Sequence, residues 1–109
     1  MLKALFGTAI KEKVLLSILV REEAYARELA VRFDLPLLSV QNQLKNLESG
    51  GVLVSRSAGR TRLYTFNPRY PFLKELTALL RRTLDFMTRK ERSALTAVHR
   101  RPRRAGKPL

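Results

Sequence analysis

The strongest constraint on how this chain can fold is a pair of helical apolar stripes joined by a tight turn and followed at once by an arginine-tipped hairpin. Residues 26–53 read ARELAVRFDLPLLSVQNQLKNLESGGVL. The stretch parses as a short helix, a turn and a second helix closed by Gly50-Gly51. In the second helix Leu37, Val40, Leu44 and Leu47 recur at the intervals of one helical face. The opposite face carries Ser39, Gln41, Asn42, Lys45 and Asn46. Short amides and one ammonium opposite a packed face suit the reading of base edges in a DNA groove. They also suit an ordinary amphipathic surface helix. The residues after Gly51 separate the two.

Val52 to Ser57 and Thr61 to Phe66 are rich in β-branched and aromatic residues, and Ala58-Gly59-Arg60 joins them. This pattern predicts a β-hairpin with its turn at Gly59 and with Arg56, Arg60 and Arg62 clustered about the tip. Asn67-Pro68 ends the second strand.

The flanking segments are predicted to be helical. Met1 to Gly7 reads as irregular, with Leu5 and Phe6 covering the core. Thr8 has the hydroxyl of an N-cap for a helix over 9–20. Its inward face is Ile10, Val14, Leu15 and Ile18, with Leu19 beside it and Lys11, Glu12 and Lys13 outside. Ala24-Tyr25 reads as a very short strand. The helix over 26–33 turns Leu29, Ala30 and Phe33 inward. Asp34 tolerates the left-handed backbone of the turn, and Pro36 fits the first turn of the helix over 37–49. Gly50 or Gly51 takes the left-handed position that ends it. Phe72, Leu73, Leu76, Leu79, Leu80, Leu84 and Met87 keep helical intervals throughout 71–87. Thr88 and Glu91 have capping-box spacing, so a last helix over 89–99 follows, with Ala94, Leu95 and Val98 as its apolar side. Residues 100–109, with two prolines and five basic residues, are expected to be disordered when free. The organisation expected is one domain over 1–87, a short additional helix over 88–99 and a basic tail over 100–109.

Chemistry is narrowed by what is missing. There is no cysteine, and His99 is the only histidine. Thiolate and imidazole-rich metal sites within one chain are excluded, as are disulfides. His99 reads as a solvated or phosphate-facing residue, and Glu22-Glu23 as a solvated turn. No catalytic constellation is visible. No enzyme activity, no cofactor and no metal are expected. The apolar run Val14 to Val20 is too short to span a bilayer. No signal pattern follows Met1-Leu2-Lys3, so a cytoplasmic, nucleoid-associated protein is expected and no membrane partner. The formal charge is +13, and it is unevenly spread. Residues 1–49 hold seven Lys/Arg against six Asp/Glu, whereas residues 50–109 hold fifteen against three. A field that one-sided favours a polyanion, and nucleic acid suits it better than a membrane because no strongly apolar face accompanies the charge.

Helix, helix, turn, helix and then a hairpin is the order of a winged helix-turn-helix. The fold class expected is mainly α with a small β-hairpin wing, α-α-α-β-β-α(-α). The run Arg27-Glu28-Leu29-Ala30, Asp34-Leu35-Pro36 and Val40 to Gly51, with the wing Gly59 to Tyr64 ending in Asn67-Pro68, resembles winged-helix regulators of the ArsR and MarR type. It is most similar to ArsR-like members. Leu5-Phe6-Gly7 and Asn67 to Leu76 resemble a narrower subset often associated with nucleotidyltransferase domains. Asp34 stands where that family usually has Gly, Pro36 where it has a capping Ser or Thr, and Asn42 where Arg is frequent. The family's metal-sensing Cys and His residues are absent.

The resemblance implies double-stranded DNA as partner. Ser39, Gln41, Asn42, Gln43 and Lys45 would then contact it from the recognition helix, and Arg56, Arg60 and Arg62 from the wing. It also implies a homodimer paired through Phe72, Leu73, Leu76, Leu80, Leu84 and Met87. The alternative for that helix is to fold back on the first long helix of its own chain. The function implied is a transcriptional regulator, a repressor by occlusion. The other readings open at this point are an antitoxin-like or adaptor module that partners a separate enzyme, and a charge-driven, non-specific nucleic-acid binder.

Overall fold

The computed structural model describes residues 1–96. It opens with a single helical turn, α1 (Lys3–Phe6), where an irregular segment was expected. The anchor of this turn is Leu2, which is buried, while Leu5 is exposed and Phe6 only half-buried. The reason lies in the next helix, α2 (Ala9–Arg21). Glu12 does not point outward as the charge pattern suggests. It is buried and accepts from the Leu2 N–H at 3.1 Å and from the Met1 amine at 3.3 Å. A buried carboxylate needs such donors, and satisfying them pulls residues 1–2 onto the core.

Thr8 caps α2 as expected, its hydroxyl accepting from the Lys11 N–H at 3.0 Å. α2 is buried almost all round from Val14 to Ile18 because several elements surround it. A helix in that position needs apolar residues on every side rather than one stripe, which is why Leu16 joins Val14, Leu15 and Ile18 in the core. Ser17 is buried with them, and its hydroxyl is the one buried side-chain oxygen among the described residues without a hydrogen-bond partner. Ser17→Ala is therefore expected to raise the free energy of unfolding by about 1 kcal/mol, since it removes an unsatisfied group and improves helix propensity. Urea denaturation reads the change. An unaltered or lower midpoint would mean that the hydroxyl is satisfied in solution.

α3 (Ala26–Phe33) and α4 (Leu37–Ser49) form the expected helix-turn-helix. Asp34 takes the left-handed backbone, at φ 54°. The Leu35 N–H then closes onto the Ala30 carbonyl at 2.9 Å. Pro36 holds the position before α4 that a capping Ser or Thr would take, as expected. It is the N-cap of α4, at φ −61°, and makes no side-chain cap. Gly51, not Gly50, is left-handed at the far end, with φ 82°. That bend lets the Val52 N–H reach the Leu47 carbonyl at 3.0 Å and aims the chain into the hairpin.

The hairpin pairs β1 (Leu53–Ala58) with β2 (Thr61–Phe66) in antiparallel register from Leu53↔Phe66 to Ala58↔Thr61. The short strand expected at Ala24-Tyr25 is a single bridge, Ala24 to Tyr64, on the other edge of β2. Asn67 pins the base of the hairpin, its side chain donating to the Gly51 carbonyl and its N–H to that of Val52, both at 2.9 Å. α5 (Leu73–Asp85) starts two residues later than expected. α6 (Arg89–Thr96) begins with the expected capping box. The Thr88 N–H donates to Glu91 at 2.8 Å, and the Glu91 N–H to Thr88 Oγ1 at 3.1 Å.

α6 packs on α2 and places Leu95 in the main core. Arg32, paired with Glu28, also donates to the Ala94 carbonyl at 2.9 Å. The helix over 88–99 thus shares its core with the preceding domain, as far as it is described. Val98, His99 and the basic tail over 100–109 lie outside the described residues. Among those described, no helix is long and apolar enough to cross a membrane, and no group of three or more His, Cys, Asp or Glu side chains is placed to hold a metal ion.

Candidate nucleic-acid interface

Burial of one face of α4 determines what the other face shows. Val40, Leu44 and Leu47 are buried against the core. The helical period then turns Asn42 and Lys45 to solvent and leaves Ser39, Gln41 and Gln43 half-buried. Asn46, also on the polar face, accepts from Lys11 Nζ at 2.9 Å and so serves the scaffold. Leu38 is 67% exposed on the same side as Asn42 and Lys45. It was absent from the sequence-based set, although its spacing of four and seven residues from those two would have found it.

The wing stands beside α4, and a cleft of about 310 Å³ separates them. Gln41 and Lys45 line it from α4, Arg60, Thr61 and Arg62 from the wing, and Tyr25, Ala26 and Arg27 from the start of α3. Arg27 was not anticipated. Its signal is a basic residue in the first turn of the helix that precedes the recognition helix.

The three wing arginines do not form one cluster. Strand alternation sends neighbours to opposite faces. Arg62 lies on the face of Ser55 and Ser57, and donates to their hydroxyls at 3.1 and 3.2 Å. Ser55 in turn donates to Glu48 near the end of α4. This chain of bonds ties the orientation of the wing to the recognition helix. Arg60 is exposed in the turn. Arg56 is on the opposite face, where it lies 3.8 Å from Glu23, both side chains well exposed. Such a pair contributes little to stability, and Arg56 is not among the residues lining the cleft. Tyr64, at the floor of the cleft, has its phenol pushed up from the ordinary value by burial and by the Glu48 carboxylate, with Arg62 acting in the other direction. It stays a neutral hydrogen-bonding group.

The residues expected to pair two chains are divided as well. Leu80 has no exposed surface, and Leu76, Leu84 and Met87 pack partly against the same core. The inner side of α5 folds back on α2, the alternative open to that helix. Leu73 is half-buried. The large apolar side chains that α5 and its ends show to solvent are Phe72, Leu79 and Phe86, with the Arg82 guanidinium 5.3 Å over the Phe86 ring.

Two solved structures of a Lactococcus lactis ZitR mutant share this architecture. One, in the apo form, gives a TM-score of 0.53 at 18% identity over 81% of this chain and 75% of that one. The other gives 0.52 at 18% identity over 79% and 66%. At that identity the likeness establishes the fold, a winged helix. No protein-family model matches the sequence, and no curated protein is significantly similar to it.

Proposed function

We propose that the protein is a sequence-specific double-stranded DNA-binding regulator of transcription, working as a homodimer and repressing by occlusion of its site. The observation that carries this reading is the convergence of two projecting elements on one cleft. Gln41 and Lys45 enter it from α4, and Arg60 and Arg62 from the wing. A helix is about 10–12 Å across with its side chains and fits the major groove. Amides and an ammonium then face base edges. Guanidinium forks suit phosphate oxygens or a narrow minor groove. Fifteen Lys/Arg against three Asp/Glu in residues 50–109 support attraction to a polyanion.

The homodimer is supported by Phe72, Leu79 and Phe86, three large apolar side chains left in water along one helix and its ends. Two-fold pairing would cover them and set two copies of α4 about one DNA turn, ~34 Å, apart.

Selection from a pool of randomised duplexes, with competitor DNA and at several salt concentrations, tests the proposal. The expected result is enrichment of a short palindrome, with log affinity falling linearly as log salt rises. A pool that stays random at every salt concentration would sink the regulator reading. Binding without preference would then point to a charge-driven binder, and no binding at all to a protein-interaction module.

A further inference from the structure

We infer that Leu38 is a specificity-determining residue, and that the preferred half-site carries a thymine whose 5-methyl group packs against it. The inference rests on the proposal that α4 enters the major groove.

Leu38 is the second residue of α4 and is 67% exposed. Spacings of four and seven residues put it on one stripe with Asn42 and Lys45, both also exposed. The core-facing side chains Val40, Leu44 and Leu47 are on the other side of the helix, so Leu38 is not the edge of the packed face. Residues at the start of a recognition helix are those brought closest to base edges. The other members of the stripe, Asn42 and Lys45, carry groups that can hydrogen-bond, and the Leu38 side chain carries none. In the major groove the one apolar group among the recognition features of a base pair is the thymine 5-methyl. An apolar side chain that leads a polar stripe is therefore matched by a thymine, just as Asn42 and Lys45 are matched by acceptors and donors.

The test uses the best duplex from the selection above. Each thymine is replaced in turn by deoxyuridine, which deletes the methyl and keeps every hydrogen-bonding group. Dissociation constants are measured for the wild-type chain, Leu38→Ala and Leu38→Met. One thymine per half-site should lose about fourfold in wild-type affinity on replacement, the effect of taking one methyl out of an apolar contact. Leu38→Ala should bind the thymine and uracil duplexes equally. Leu38→Met, which keeps the apolar reach, should still discriminate. Because Leu38 is exposed, the variants should keep the wild-type circular dichroism spectrum. If Leu38→Ala discriminates as the wild type does, or the wild type ignores every methyl, the inference is overturned while DNA reading stands. If the pool yields no preferred sequence, both fall together.

Discussion

Leu80→Ala is expected to lower the free energy of unfolding by about 2–5 kcal/mol, the cost of a large cavity in a packed core. Small domains have only about 5–15 kcal/mol in all, so the variant should unfold far more readily. The basis is that Leu80 is fully buried within one chain, where α5 lies against α2. The loss should be the same at low and high protein concentration. Phe72→Ala supplies the contrast. Phe72 is 62% exposed, so its replacement should change the stability of a single chain by less than about 0.5 kcal/mol. If two chains pair as proposed, it should instead weaken their association. Urea denaturation over a wide range of concentrations, with sedimentation to read the oligomeric state, separates the two. A Leu80→Ala defect that fades as the protein is concentrated would return Leu80 to an interface between copies.

Replacing Arg60 and Arg62 together by Ala should weaken DNA binding roughly a hundredfold at low salt, from two charge-assisted hydrogen bonds of about 1.5 kcal/mol each. The weakening should be nearly uniform across sequences. The slope of log affinity against log salt should become shallower by about two, close to one for each phosphate that the variant leaves unneutralised. Arg56→Ala is the control that the structure supplies. It removes one positive charge from the same hairpin, but on the face turned away from α4 and toward Glu23. Its effect should stay within about threefold, the remnant of long-range attraction. Asn42→Ala, by contrast, should relax preference at one base-pair position by about 1–3 kcal/mol and leave the salt slope unchanged. If Arg56→Ala proves as damaging as the Arg60 and Arg62 pair, the division of the wing into two faces has no bearing on binding. If Asn42→Ala weakens all sequences alike, α4 does not read bases.

These contrasts rest on features with different histories in the sequence. The helix-turn-helix was legible almost to the residue, because its signals are local. The Leu29, Ala30 and Phe33 stripe, the left-handed Asp34 and the period of Val40, Leu44 and Leu47 each depend on neighbours within a turn or two. Thr8 and the Thr88–Glu91 pair were legible for the same reason, since a cap bonds to an N–H three residues away. The base of the wing was marked by Asn67, although the two carbonyls it holds are visible only in the folded chain.

What was not legible concerns which side of an element meets which partner. Glu12 reads as a solvent-facing charge until residues 1–2 are seen to need its oxygens. Leu5 is as apolar as Leu2, and only the path of α1 decides which is covered. Arg56 and Arg62 sit in one basic cluster as letters and on opposite faces as side chains. Leu80 belongs to an apolar stripe that is equally good for a second copy or for the chain itself, and the approach of α5 to α2 selects the chain. Apart from the single turn α1, the sequence by itself determined which segments become the described helices and the two hairpin strands, to within about two residues at their ends, and how the wing follows α4. Those outcomes come from hydrogen bonds and periodicities that span a few residues. Only the tertiary structure decided which faces are spent on the core and which are left for a ligand, because burial is settled by elements far apart in the chain.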